Sequence, residues 1–380
     1  AASYLHLADE NLINDNSLYY EEQYSDVPFV FVRTPSSNKN GLARVKNMFA
    51  YYKNLFKVTK IYLKKYGKPD VILASSPHPL AMVAGIKIGK KLNVPCVCEV
   101  RDLWPEAIFA FGKTKERSIL GRVLISGEHW IYKNADALVF LKKGDTDYLK
   151  ERNWTTEQGG KVDLSKCHYI NNGVDLDALD RRIEKNVLQD EDLYNEEKFN
   201  VVYTGAIRPV NNVGNILDAA NLLRKHNDIQ FLIYGEGNQL DYLKKRVEEE
   251  GLTNVKMKGY VDQKYIPYVL SKSSVNILNY SSTKYNWSRG SSSNKLFEYM
   301  ASGKPIISTV ETGYSIIKKY QCGIELKESS PEMLVEAIYE IINMSIEDYK
   351  RIGENARRGA KDFDYKNLTE KLIDIIEGLK

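Results

Sequence analysis

Ser291-Ser292-Ser293-Asn294-Lys295-Leu296-Phe297-Glu298-Tyr299-Met300-Ala301-Ser302-Gly303-Lys304-Pro305 leads from small polar residues into a helical pattern that stops at Gly303 and Pro305, with a short apolar strand, Ile306–Ser308, behind it. A helix entered through Ser and Asn leaves its first backbone N–H groups without intrahelical partners. Those groups and the helix dipole make an anion site. Lys295 in the first turn opposes the dipole, and its place there makes sense if a phosphate is bound. Glu298, one turn further in, would be repelled by a diphosphate and is expected to accept hydrogen bonds from sugar hydroxyls. A capped surface helix with ordinary charges fits the same residues, so the neighbouring segments have to decide.

Two of them point the same way. Val201-Val202-Tyr203-Thr204-Gly205-Ala206-Ile207-Arg208 is a buried strand ending in a Gly turn and an Arg. Phe231-Leu232-Ile233-Tyr234-Gly235-Glu236-Gly237 again runs from strand into a Gly turn. In open α/β sheets ligands bind outside the carboxyl ends of the strands. Arg208 is therefore placed to reach a diphosphate, which its fork fits, although an exposed turn Arg is the plainer alternative.

The rest of the chain repeats this strand–helix alternation. Strands are expected at Phe29–Val32, Val71–Ala74, Cys96–Val100, Ala137–Leu141 and near Tyr169–Ile170. In the second half they are expected at Asn200–Tyr203, Gln230–Ile233, Asn254–Met257, Val275–Leu278, Pro305–Ser308 and Gly323–Leu326. Helices are expected at Leu42–Tyr66 and Leu80–Leu92, and at Ile346–Lys361 and Tyr365–Leu379 near the end. Such alternation predicts an α/β protein with two Rossmann-like, doubly wound parallel-sheet domains. The charge-rich stretch Arg181–Lys198 reads as the linker. That divides the chain into 1–180, 199–363 and a final helical segment, 364–380, expected to pack across the junction. No Gly-rich strand turn opens the chain at Ala1–His6, so a first strand is expected to be missing from the first domain.

Composition narrows the class. The 380 residues carry a net charge of +4, too small to imply nucleic acid by itself. Cys96, Cys98, Cys167 and Cys322 form no zinc-type spacing and read as reduced thiols in a cytoplasmic setting, Cys96 and Cys98 filling a core from one strand face. No apolar run is long enough to span a bilayer, so membrane contact would be peripheral. From Lys39 to Pro69 there is no acidic residue, while Lys and Arg alternate with Phe49, Tyr51, Tyr52, Phe56 and Tyr62. This basic aromatic helix over 42–66 suits an anionic membrane surface. An amphipathic core helix with a solvated basic face would look similar. No nucleic-acid motif accompanies the charge.

Arg101-Asp102-Leu103-Trp104-Pro105-Glu106, Asn171-Asn172-Gly173-Val174-Asp175, Gly235-Glu236-Gly237 and Asn294–Pro305 together resemble retaining glycosyltransferases of family 4, in the bacterial branch that builds cell-surface polysaccharides such as capsule or O-antigen. The resemblance covers most of the chain and implies a GT-B fold with the donor in a cleft between domains. It implies that Glu298 binds the nucleotide ribose and that Arg208 and Lys295 hold the diphosphate. Tyr260 and Val261 would hold the base through backbone groups. The family's other motif glutamate falls at Gly290, a departure, and backbone amides across Gly290–Ser293 are the expected substitute. Gly205, Gly235, Ser293 and Asn294 complete the substrate-binding set.

The resemblance also implies a UDP-sugar co-substrate, no resident cofactor and no metal, and a glycan or polyprenyl-diphosphate-linked acceptor. Retention is then expected without a protein nucleophile, the protein supplying position and electrostatics. On the acceptor side Asp102 would orient or deprotonate the hydroxyl, Trp104 would stack on a sugar, and Glu106 would bind it. A structural turn with Asp102 capping a helix begun by Pro105 is the competing reading. His78 reads as a turn residue. Two rival functions share the fold: a sugar-nucleotide epimerase, and a non-catalytic binder of sugar nucleotides or glycans.

Overall fold

The computed structural model describes residues 17–36, 41–76, 78–110, 112, 114–195, 197–282 and 286–379. The opening residues Ala1–His6, Lys39 of the basic run and Pro77 beside His78 lie outside them. The chain divides into two compact units, Ala1–Leu141 with Tyr148–Tyr169 and Ile375–Lys380, and Lys142–Asp147 with Ile170–Asp374.

Among the described residues the first unit opens with a hairpin of β1 (Tyr19–Tyr24) and β2 (Val27–Val32), followed by α1 (Leu42–Tyr66), β3 (Ile72–Ser75), α2 (Pro79–Leu92), β4 (Cys96–Val100), α3 (Trp104–Ala110), α4 (Ile119–Asn134) and β5 (Ala137–Phe140). After α5 (Asp145–Glu151) comes β6 (Cys167–Tyr169). β3-β4-β5-β6 form a parallel sheet in sequence order. Cys96, Cys98, Val100, Leu138 and Phe140 pack one core with Met82, Ile86, Ile131 and Tyr132 from the helices. The two thiols share one strand face as expected.

Phe29–Val32 requires a correction. Read as a strand of the parallel alternation, it instead pairs antiparallel with β1, Tyr20 opposite Phe31 and Glu21 opposite Val30, in a separate two-stranded sheet. Ser25, at φ 54°, makes the turn. β1 itself, Tyr-Tyr-Glu-Glu-Gln-Tyr, was not legible because paired Glu residues mask its strand pattern. An apolar groove lies between β2 and β3, walled by α1 and α2 and lined by residues such as Val32, Leu55, Ile72 and Gly85.

The second unit contains α6 (Leu176–Lys185), β7 (Phe199–Thr204), α7 (Val213–Leu222), β8 (Ile229–Tyr234), α8 (Leu240–Glu249), β9 (Val255–Gly259), α9 (Ile266–Ser271), β10 (Val275–Leu278), α10 (Asn294–Ala301), β11 (Ile306–Ser308), α11 (Ile316–Tyr320), β12 (Gly323–Glu325), α12 (Pro331–Ile342), α13 (Ile346–Lys361) and α14 (Tyr365–Glu377). Its sheet is parallel, in the order β12-β11-β10-β7-β8-β9. Both faces are buried, which is why its strands read as continuous apolar runs. Val201, Phe231, Ile277 and Ile307 belong to one core, with α7 and α12. Val202, Leu232, Leu278 and Ile306 belong to the other, with α10 and α13.

The stretch 181–198, read as a linker, lies inside this unit. Within it Leu193 is buried in the second of these cores, as are Leu176 and Leu179 just ahead of it. Lys258 Nζ holds Asp190 at 2.6 Å and Asp192 at 2.5 Å, and the Tyr234 hydroxyl donates to Asp190.

Candidate functional site

Strand order in the second unit reverses at β7. The chain builds β7, β8 and β9 outward on one side, then returns to lay β10 against the other side of β7. In open α/β sheets this switch point is where ligands bind, outside the carboxyl ends of the two strands. β7 ends at Thr204 and turns at Gly205; β10 ends at Leu278, and Tyr280 follows two residues later.

Lys295 is brought to this point from the first turn of α10. Its Nζ sits 4.7 Å from the centroid of the Tyr203 ring and 4.6 Å from that of Tyr280, with the Tyr203 hydroxyl at 3.3 Å. Tyr203 is fixed by its hydroxyl donating to the Ala206 carbonyl at 2.8 Å, and Tyr280 by a 2.6 Å bond with Ser293 Oγ. The low-dielectric surroundings push the Lys295 ammonium down to about 7, against the opposing pull of Glu298. A diphosphate bound there would restore the charge.

The Gly turns shape the floor. Gly205 has φ +140°, and a Cβ on it would meet Lys295 Cδ at 3.0 Å and Nζ at 3.2 Å. Gly235 has φ +147°, and a Cβ there would overlap the Gly205 carbonyl oxygen. Backbone bonds tie the turns together: Gly205 N–H to Tyr234 O at 2.9 Å, Ile207 N–H to Glu236 O at 2.7 Å, and Gly235 N–H to Gly259 O at 2.7 Å. Only residues without side chains allow this approach. Arg208 follows the Gly205 turn and is exposed.

α10 starts after Ser293, and no side chain of a described residue caps it. Of its first N–H groups, that of Leu296 donates to Ser293 O at 3.1 Å, and those of Asn294 and Lys295 precede the helical ladder. The loop ahead of it is held from behind. Asn171 Nδ2 donates to Ser291 O at 2.9 Å, and Asn172 Nδ2 to Ser292 O at 2.6 Å. Gly290 has φ +101°, a conformation side chains rarely adopt. That accounts for a glycine where the resemblance expects a glutamate.

Glu298 borders a cavity of about 280 Å³ lined also by Asp175, Arg182, Gln263, Ile266 and Asn294. Burial raises its carboxyl, while Lys295 and Arg182 pull it down. Val261 packs on the core near this cavity, and Tyr260 is exposed. The structure therefore gathers Gly205, Gly235, Ser293, Asn294, Lys295 and Glu298 around α10 and the switch point. Tyr203, Tyr280, Asn171 and Asn172 join them without having been assigned roles from sequence. The Asn-Asn-Gly-Val-Asp motif was the available signal for two of them; nothing marked the tyrosines.

In the first unit Asp102, Trp104 and Glu106 follow the carboxyl end of β4. Asp102 is exposed and has no hydrogen-bond partner among the described residues; Trp104 and Glu106 are half-buried. α3 starts at Trp104, one residue earlier than the Pro105 start considered above. His78 precedes α2, buried against Tyr51 and pushed down to about 4 by its burial. It is neutral near pH 7.

Two parallel-sheet α/β units, one with a cation and glycine turns at its switch point, fit a GT-B fold. The chain belongs to the group 1/family 4 glycosyltransferases: residues 14–178 match Glycosyltransferase Family 4, and residues 184–359 match Glycosyl transferases group 1. No curated protein matches the chain. Among solved structures it resembles Anabaena HepE in complex with UDP, at 15% identity and TM-score 0.64 over 90% of this chain and 85% of that one. It also resembles sucrose-phosphate synthase from Thermosynechococcus elongatus, at 17% identity and TM-score 0.66 over 96% and 86%. A third is WaaG, a glycosyltransferase involved in lipopolysaccharide biosynthesis, at 17% identity and TM-score 0.61 over 91% and 86%. Among the described residues no helix is long and apolar enough to cross a membrane.

Proposed function

We propose that the chain is a retaining hexosyl- or acetamidohexosyltransferase that takes its sugar from a UDP-sugar. The acceptor is a glycan or a polyprenyl-diphosphate-linked sugar in cell-surface polysaccharide synthesis, handled in the cytoplasm at the membrane face. The observation that carries the donor reading is Lys295 held between Tyr203 and Tyr280 at the switch point, beside an uncapped helix start. The HepE complexes with UDP and with UDP-glucose support the choice of nucleotide.

In this reading the diphosphate lies against the Gly205 turn and the first N–H groups of α10. Lys295 and Arg208 balance the charge that builds on it as the glycosidic bond breaks, with no resident divalent ion required. Glu298 takes the ribose hydroxyls, with the base in the cavity beside Val261 and Gln263. Its volume is near the lower end for small-molecule pockets, which start at about 300 Å³. The acceptor hydroxyl attacks from the leaving-group face, and a departing diphosphate oxygen takes its proton. Asp102 orients that hydroxyl, with Trp104 and Glu106 holding the acceptor sugar. The basic helix α1 provides peripheral contact with an anionic membrane.

The test is turnover of UDP-sugars in EDTA with lipid-linked acceptors, reading the anomeric configuration of the product by NMR. Retention with acceptor-dependent UDP release is expected. Turnover of donor alone to an epimeric sugar would replace the transferase reading with an epimerase.

A further inference from the structure

The turn that carries Arg208 is held from both sides. Ahead of it, the Ile207 N–H donates to Glu236 O at 2.7 Å, and the Gln239 N–H to Ile207 O at 3.2 Å. Behind it, Pro209–Asn211 makes one turn of 3-10 helix, closed by the Asn211 N–H on Arg208 O at 2.9 Å. Asn212, at φ 47°, then hands the chain to α7. The Arg208 side chain is exposed between these two grips.

The second grip comes from the end of β10. Asn279 directly follows that strand and is fully buried, and its Nδ2 donates to Asn211 O and to Asn212 O, each at 2.7 Å. The Ser281 N–H adds a bond to Val210 O at 2.9 Å. A buried amide is costly unless its donors are used. Here both amide hydrogens go to the turn beyond Arg208. The next residue, Tyr280, is fixed by other bonds. Its N–H donates to Thr309 Oγ1 at 3.2 Å, and its hydroxyl pairs with Ser293 Oγ at 2.6 Å.

We propose that Asn279 is a positioning residue for the donor site: it sets the place of Arg208 through the carbonyls of Asn211 and Asn212, and does not act through Lys295. The inference deepens the donor reading and rests on it, since Arg208 needs a diphosphate to act on. A long side chain meets its ligand at less entropic cost from a fixed backbone than from a loose one. Freeing the two carbonyls loosens the turn that presents the guanidinium, while the Gly205 turn and α10 keep their own bonds. Two neighbours at the end of β10 thus serve different cations, Tyr280 flanking Lys295 and Asn279 holding the backbone behind Arg208.

Calorimetric titration of UDP into single and double variants tests it, with urea unfolding of each. Asn279→Leu keeps the bulk of the side chain and removes both donors. It is expected to weaken UDP binding about five- to tenfold on its own and less than about twofold beside Arg208→Ala. Beside Lys295→Met it should keep its full effect. Its urea midpoint should fall equally in all three backgrounds, as a readout of the fold alone. Asn279→Ser, which retains one donor, is expected to lie between wild type and Asn279→Leu, and it serves where Asn279→Leu does not fold. Equal weakening with and without Arg208, or unchanged UDP affinity in a destabilised variant, would overturn the proposal and leave Asn279 a structural residue. An effect that vanishes beside Lys295→Met would overturn it too, transferring the action to Tyr280. If Arg208→Ala itself binds UDP as the wild type does, the proposal falls with the role of Arg208, whereas the donor site at Lys295 is judged separately by Lys295→Met.

Discussion

The ammonium of Lys295 sits 3.3 Å from the hydroxyl of Tyr203 and 4.7 Å above its ring, joining the first turn of α10 to the end of β7. The contact places a cation where the strand order reverses. Burial at that point lowers the ammonium to about 7, and that sets how affinity depends on pH.

A diphosphate binds the ammonium form, and Lys295 loses its proton at about 7 when the site is empty. Affinity for UDP-glucose should be flat at lower pH and weaken as pH rises through 7, by up to about tenfold per unit until the bound-state value is reached. Calorimetric titration from pH 6 to 9 reads this directly. Lys295→Arg, charged throughout, should flatten the profile.

Gly235→Ala should remove UDP binding and destabilise the second unit by more than about 2 kcal/mol, because its Cβ overlaps the Gly205 carbonyl as well as straining φ. Gly251→Ala is the control. Gly251 also has positive φ, at +63°, but nothing lies within 4 Å of an added Cβ, so its cost should stay near about 1 kcal/mol. Urea unfolding of both variants separates the close approach from the backbone strain.

Asn171→Ala and Asn172→Ala should each lower UDP affinity although neither group is assigned to the ligand. Each frees a carbonyl of the 291–292 loop, at a cost of about 1 kcal/mol in stability. Affinity measured alongside urea stability tests them as positioning residues: loss of stability with UDP affinity intact would leave them merely structural.

Glu128 should make the first unit pH-sensitive. It is buried and raised to about 7, chiefly by burial and against the hydrogen bonds donated by Tyr132 and Tyr148. A carboxyl whose folded value lies above its unfolded value of 4.5 binds its proton more tightly when folded. Its stabilising contribution is therefore full below pH 4.5 and lost as pH rises through 7, up to about 3 kcal/mol. Thermal melts from pH 4 to 8 should show the decline, and Glu128→Gln should reduce its slope.

Most of the fold was legible because the central strands of both parallel sheets are buried apolar runs, and two in the second sheet end in Gly turns. Val201–Thr204 and Phe231–Tyr234 could hardly be read otherwise. The hairpin strand Tyr19–Tyr24 was not legible, since its pairing sets polar Glu21 and Glu22 opposite Val30 and Phe29, a tertiary choice without a local signal. The charges of 181–198 suggested a linker because the burial of Leu193 and the grip of Lys258 on Asp190 and Asp192 join residues far apart in sequence. At the site, Lys295 and Glu298 stood out by their places in a helix start. Tyr203 and Tyr280 did not, because a tyrosine ending a buried strand looks the same whether it packs a core or flanks a cation.

The most direct test of the central claim is calorimetric titration of UDP into the wild type and Lys295→Met in EDTA, with GDP, ADP and CDP as comparisons. The account predicts selective UDP binding that weakens by about ten- to a hundredfold in the variant. UDP binding unaffected by Lys295→Met, or no UDP binding by the folded wild type, would contradict a donor site at the switch point of the second sheet.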